Sequence, residues 1–187
     1  MDQLTLSTFK RWIAMLSLVV VVALTATAES VDIDGLYYEL NTTARTATVT
    51  YQTTTTSNYS SLPANVIIPA KVTYNNVTFD VTEIADKAFA NCTSLESISI
   101  PGSVIKVGTI RNCGQYAASD LPFYNCTSLK SIRFEDGQDT VTLGAGAYTY
   151  NSSSMGKGLF NYCPLEEIYL GRNITYDNYD SSFSTRL

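Results

Sequence analysis

The chain repeats one pattern of hydrophobic and polar positions. In each copy a Leu is followed by two variable residues, an apolar residue, another variable residue and a second apolar residue, at residues 95–100, 129–134 and 165–170. Because successive side chains of a strand point to opposite faces, the pattern predicts three short strands, each with one buried face. The predicted interior positions are Leu95, Ile98, Ile100, Leu129, Ile132, Phe134, Leu165, Ile168 and Leu170.

A phenylalanine and a cysteine precede each predicted strand. These pairs are Phe89 with Cys92, Phe123 with Cys126, and Phe160 with Cys163. The cysteines are 34 and then 37 residues apart, because inserts of 11 and 12 residues lie at about residues 109–122 and 145–159. Without these inserts and two extra turn residues, the period is about 23 residues, inside the roughly 20–29 residues of leucine-rich repeats. The pattern therefore predicts stacked repeats with a ladder of Phe rings.

The segment Ala88–Pro101 reads A-F-A-N-C-T-S-L-E-S-I-S-I-P, and this motif resembles the BspA-type leucine-rich repeat family of bacterial surface proteins. The likeness covers about residues 32–187, with Asp34–Tyr38 and Val66–Pro69 resembling the lead-in to a first repeat. The resemblance implies a right-handed leucine-rich repeat solenoid, β-rich within the α/β class. It also implies a non-catalytic protein that is secreted or displayed on the cell surface.

Residues 1–28 have the pattern of a secretory signal peptide. Lys10 and Arg11 precede an apolar run, and the small residues Ala26-Thr27-Ala28 stand before Glu29. Cleavage after Ala28 would leave 159 residues with a net charge of −6. An uncleaved anchor is the alternative.

Residues 29–80 are expected to form an N-terminal β-hairpin cap. Alternating apolar and polar residues on both sides of Asn75-Asn76 predict a hairpin turn. A cap is needed because the first coil of a solenoid exposes an apolar end. Residues 81–187 are then the repeat domain, which we expect to be truncated at its C-terminus because Leu187 comes only 17 residues after the last predicted strand.

The residue types argue against most catalytic and metal chemistry. The chain has no His, which removes Ser-His-Asp triads and His-ligated zinc, so we predict no catalytic residue, metal or cofactor. The three repeat cysteines favour a buried thiol ladder over a metal cluster, whereas Cys113 in the first insert could form a disulfide or an intermolecular bond. Asp32-Ile33-Asp34-Gly35 favours a turn over a calcium loop, and Asn91 and Asn125 are expected to point inward or to cap a turn.

The net negative charge argues against nucleic acid and against an anionic membrane surface as partners. We predict no membrane insertion after signal cleavage. The expected partner is instead a protein or glycan on the host matrix or on neighbouring cells, and the alternative is a structural fragment of a longer surface array that has no ligand of its own.

Two surfaces are candidates for binding. On the outer face of the strands, Lys130 should form ion pairs with Glu96 and Glu166 on the adjacent strands. Arg133, between Ser99 and Tyr169, is more open to a partner. The inserts enter the repeat at the same point, so stacking should bring them together at one edge. They contain Tyr, Ser and Asn, which suit a binding surface, and the predicted contacts there are Tyr116, Tyr148 and Tyr150.

Overall fold

The repeating apolar positions form short strands joined by turns. The computed structural model describes residues 29–52, 59, 62–108, 121–144, 159–160 and 162–176. Twelve strands lie in these ranges: β1 Val31–Ile33, β2 Leu36–Asn41, β3 Thr46–Thr50, β4 Asn65–Ile67, β5 Lys71–Tyr74, β6 Val77–Ile84, β7 Ser97–Ile100, β8 Lys106–Val107, β9 Ser131–Phe134, β10 Val141–Leu143, β11 Glu167–Leu170 and β12 Ile174–Tyr176. The described residues contain no helix, so the α component of the expected class is not found there; turns make the connections instead.

The chain alternates between two sheets. Strands β4, β7, β9 and β11 form a four-stranded parallel sheet. Strands β6, β8, β10 and β12 pair in parallel within the second, eight-stranded sheet. Each repeat therefore adds one strand to each sheet, and equivalent residues of successive repeats lie side by side.

The N-terminal strands pair differently. Strands β1, β2 and β3 are antiparallel neighbours, and β5 forms with β6 the hairpin predicted at Asn75-Asn76. Both asparagines have positive φ, 49° and 62°, a conformation that Asn tolerates better than most residues. Strand β6 also pairs in parallel with β3 and with β8, so it joins the antiparallel strands to the parallel ladder. The expected boundary between the cap and the repeat domain, at residues 80 and 81, lies inside β6, which spans Val77–Ile84.

The predicted interior rows are buried in the first two copies. The interior residues of β7 and β9, with the leucines before them, are at most 2% exposed. The third copy corrects the prediction, because Ile168 is 40% and Leu170 51% exposed. Among the described residues no strand pairs with the outer edge of β11, so these two side chains lack the neighbour that covers their counterparts in β9.

A column of aromatic rings runs through the core. Phe89 and Phe123 stack with their centroids 5.5 Å apart and their planes 3° from parallel. Phe160 follows at 5.4 Å from Phe123. Tyr59 extends the column 5.7 Å on the other side of Phe89, and Tyr37 lies 5.2 Å beyond Tyr59. The ladder of Phe rings is thus continued into the N-terminal strands by tyrosines.

The turns before the four-stranded sheet use left-handed backbone positions. Asn91, Asn125 and Tyr162 stand immediately before the three cysteines and have φ between 58° and 64°. The Asn125 side-chain amide donates to Asn91 Oδ1 at 3.0 Å. The two asparagines therefore form and link the turns rather than pointing into the core.

Candidate functional site

The outer surface of the four-stranded sheet is built from side chains that the strand alternation turns away from the core. We call it the strand face. Its first row is Asn65, Ser97, Ser131 and Glu167, and its second row is Ile67, Ser99, Arg133 and Tyr169, as the pairing registers place them. The predicted residues Arg133 and Tyr169 are thus direct neighbours across β9 and β11.

Arg133 and Tyr169 form a cation–π pair. The Arg133 guanidinium carbon lies 3.7 Å from the centre of the Tyr169 ring, within the range of a favourable contact. Arg133 Nε also donates to Glu135 Oε2 at 3.0 Å, and the other Glu135 oxygen accepts a hydrogen bond from Ser99. The Ser99 hydroxyl and the Arg133 guanidinium hold the pKa of Glu135 below its ordinary value. Arg133 is therefore held in place by its own sheet before any partner arrives.

Tyr169 is anchored at its other end. Its hydroxyl donates to Asp136 Oδ1 at 2.8 Å, and this contact raises the pKa of Tyr169. The residue is still 37% exposed. A rigid, partly exposed aromatic ring loses little conformational entropy on binding, which favours it as a contact residue.

Beside the strand face lies the charged column of Glu96, Lys130 and Glu166. One of its two predicted ion pairs, between Lys130 and Glu166, is found. Lys130 Nζ lies 3.2 Å from Glu166 Oε1, and both side chains are well exposed. Backbone bonds from Lys130 N to Glu96 O and from Glu166 N to Lys130 O stack the three residues. An exposed ion pair of this kind contributes about 0–1 kcal/mol, so it orders the surface more than it stabilises the fold.

Small polar side chains occupy the middle of the strand face. Ser97 Oγ donates to Asn65 Oδ1 at 2.6 Å, and Ser131 lies beside Ser97 in register. Ser99 stands in the second row, between Ile67 and Arg133. Ile67, at one end of the second row, is 79% exposed. The strand face thus has an apolar residue at one side, an Arg–Tyr pair at the other, and low relief between them.

The residues predicted in the inserts, Tyr116, Tyr148 and Tyr150, lie outside the described residues. The same holds for Cys113 and for the proposed signal segment at residues 1–28.

The repeat cysteines are thiols stacked in one register. Cys126 Sγ donates to the carbonyl of Phe89, and Cys163 Sγ to the carbonyl of Phe123, each at 3.0 Å. Burial raises the pKa of Cys92 to about 12. Within the described ranges no group of three or more Cys, Asp or Glu residues is arranged to hold a metal ion.

Sequence reasoning did not assign two features of this region. Strand β4 is the first member of the four-stranded sheet, whereas Val66–Pro69 was expected to resemble the lead-in to a first repeat. The signal was Val66-Ile67-Ile68-Pro69, which has the same apolar spacing and final Pro as Ile98-Ser99-Ile100-Pro101. With β4 comes Ile67, the most exposed large hydrophobic residue of the described chain.

The second missed feature is Arg172, which lies buried behind the turns that follow β7 and β9. Its Nη1 and Nη2 donate to the carbonyls of Gly102 and Pro101 at 2.7 and 2.9 Å. Burial lowers its pKa. The turns approach so closely that a Cβ added to Gly102 would lie 2.5 Å from the carbonyl oxygen of Asp136. The sequence Gly171-Arg172 gives no indication that the Arg side chain is buried or that it contacts these turns.

Comparison with solved structures finds leucine-rich repeat proteins. A leucine-rich cell surface protein from Faecalibacterium prausnitzii A2-165 is 25% identical with a TM-score of 0.52; the match covers 79% of this chain and 32% of that one. A leucine-rich repeat protein from Bacteroides ovatus is 22% identical with a TM-score of 0.44, covering 79% and 37%. One from Bacteroides capillosus is 22% identical with a TM-score of 0.42, covering 80% and 99%.

The chain thus spans about a third of the length of the Faecalibacterium protein. No curated protein matches the chain. In the part of the chain that the structure describes, no helix is long and apolar enough to cross a membrane.

The family comparison agrees with the repeat geometry. The model of the BspA-type leucine-rich repeat region matches residues 69–186 with six copies, which is more than half of the chain. Its range begins directly after β4 and includes every strand of the parallel ladder that follows. The chain therefore belongs to the BspA-type leucine-rich repeat family.

Proposed function

We propose that this protein is a secreted or cell-surface adhesion module that binds a protein or glycan of the host matrix or of neighbouring cells, without catalysis. The observation that supports the proposal most is the strand face itself. It keeps an Arg–Tyr pair and an isoleucine exposed on a rigid parallel sheet, where small polar residues would have been sufficient for solubility.

The proposal includes the architecture that the sequence predicts. The two sheets would be the walls of a right-handed solenoid, the strands before β6 would cap its first turn, and residues 1–28 would direct secretion and be removed. The inserts would add Tyr116, Tyr148 and Tyr150 as a second contact region beside the one at Arg133 and Tyr169.

The test is capture of partners by the secreted full chain. Bead-bound protein is incubated with solubilised host matrix and with surface proteins of neighbouring bacteria, and bound components are identified by mass spectrometry. Tyr169→Ala should lose the captured partner. Tyr74→Ala is the matched control, because Tyr74 is 39% exposed but lies on β5 of the other sheet.

A further variant tests the inserts separately. Both are shortened to the spacing found between Ala85 and Phe89, which the first repeat already tolerates. Loss of the partner in this variant alone would move the contact from the strand face to the inserts. Unchanged capture by this variant and by Tyr169→Ala would exclude both regions.

A structural role in a longer repeat array is the second candidate. The exposure of Ile168 and Leu170 favours it, because these interior positions would be covered by one more strand next to β11. If the chain binds nothing but associates with a separately produced repeat segment of the same pattern, this role is the better account.

A further inference from the structure

We propose that the strand face binds a basic protein segment in extended conformation, with an apolar residue placed on Ile67 and Lys or Arg side chains at the opposite side of the sheet. This inference depends on the proposed function, since it names the chemistry of the partner for the same surface.

The charges on this surface are unequal. The carboxylates on or beside the strand face are Glu96, Glu135, Asp136, Glu166 and Glu167, and the cations are Lys130 and Arg133. Each cation already has a carboxylate partner on the sheet: Lys130 lies 3.2 Å from Glu166, and Arg133 lies 3.0 Å from Glu135. The internal pairs therefore neutralise both positive charges.

Three carboxylates remain without a cationic partner among the described residues. Glu96 and Glu167 are exposed, and Asp136 is exposed while accepting the Tyr169 hydroxyl. Two of these three carboxylates, Asp136 and Glu167, thus lie beside Tyr169, and Glu96 adds negative charge two strands away, before β7. Opposite charge on a partner is favoured there, and complementary potentials also accelerate the encounter.

The spacing suits an extended chain that crosses the strands. Ile67 and Tyr169 stand in one row and are separated by three strand-to-strand steps. At about 4.8 Å per step the row is about 14 Å long, and a peptide that rises about 3.3 Å per residue crosses it in four to five residues. Ser99 lies between the two ends of this row, and Ser97 and Ser131 lie in the neighbouring row, so small side chains leave room for the peptide backbone.

The experiment uses three peptides of about nine residues in which Val alternates with Lys, Ser or Glu, so that each can span the row. Binding of the secreted full chain is measured by biolayer interferometry at low and at high salt. Heparin and a neutral dextran are measured in parallel as glycan probes. The test variant is Glu96→Gln with Glu167→Gln, and the control is Glu39→Gln with Glu83→Gln, which removes the same charge from the eight-stranded sheet.

We expect the Lys peptide to bind about tenfold more tightly than the Ser peptide and to weaken with salt, because the contact is electrostatic. The Glu96/Glu167 variant should lose about fivefold in affinity for the Lys peptide, while the control stays within about twofold. Ile67→Ser should weaken the Lys and Ser peptides alike, and thermal unfolding is used to verify that each variant is folded.

The inference is overturned if the Ser or Glu peptide or either glycan binds as tightly as the Lys peptide, if the Lys peptide does not bind, or if the control loses as much as the test variant. These outcomes are separate from failure of the proposed function. A partner whose capture depends on Tyr169 but which prefers heparin or dextran would preserve the adhesion role and exclude the basic segment.

Discussion

The second and third copies of the repeat have the same pattern but different environments. Strand β9 lies between β7 and β11, and its interior residues Ile132 and Phe134 are at most 1% exposed. Strand β11 has a partner on one side among the described residues, and all four of its residues are exposed. A repeat of this kind therefore does not bury its own apolar residues; the neighbouring repeats on both sides cover them.

The largest effect should come from the middle of the aromatic column. Phe123 is fully buried between Phe89 and Phe160, so Phe123→Ala should cost about 3–5 kcal/mol of unfolding free energy. Phe160→Ala should cost less, because Phe160 is 8% exposed and stacks on one described ring. Urea denaturation measures both, and equal losses would contradict the comparison.

A matched pair on adjacent strands sharpens the same point. Ile132 and Ile168 are register partners, 0% and 40% exposed. Ile132→Ala should lose about 2–5 kcal/mol and Ile168→Ala at most about half as much, since part of its side chain is already in water. Hydrogen exchange should likewise be faster in β11 than around Leu129. Slower exchange in β11 would mean that something covers this strand in solution.

Arg172 provides a contact that reaches across the repeats. Replacing it by Ala leaves the carbonyls of Pro101 and Gly102 without their donors, at a cost of about 1.5–3 kcal/mol. Arg172→Lys should recover only part of this loss, because an ammonium group cannot present the planar fork that meets both carbonyls. Full recovery by Lys would show that charge alone is required.

The smallest structural effect is expected from thiol chemistry at the end of the ladder. The neighbouring thiol of Cys126 lowers the pKa of Cys163, whereas the Cys163 thiol and burial raise the pKa of Cys126. Because the thiolate is the nucleophile, Cys163 should react with iodoacetamide at a lower pH than Cys126 or Cys92. Peptide mapping after labelling over a series of pH values checks the order, and earlier labelling of Cys92 would contradict it.

The repeat fold could be predicted from sequence because its information is local and periodic. The spacing alone predicts a buried face that contains Leu129, Ile132 and Phe134. A Phe at the position of Phe123 also recurs in each copy. The exposure of Ile168 could not be predicted in this way, because Ile168 and Ile132 are the same residue type at the same position of the repeat. They differ only in the number of strands beside them.

The candidate site was predictable in part. Arg133 and Tyr169 are neighbours because the register follows from the repeat, as the sequence indicated. The hydrogen bonds that hold them to Glu135 and Asp136 depend on the turn after β9. The repeat pattern does not specify the conformation of that turn. Arg172 was missed because its partners lie about 70 residues away along the chain.

Strand β6 has a mechanical consequence. The ladder strands after it are two to four residues long, and their hydrogen bonds run from repeat to repeat, so a pull along that direction separates them one strand at a time. Strand β6 is eight residues long and is bonded to β3, β5 and β8 together. A tension that peels the repeats from their C-terminal end therefore meets its first strong resistance at β6, and the strands before it stay folded while those after it are drawn out.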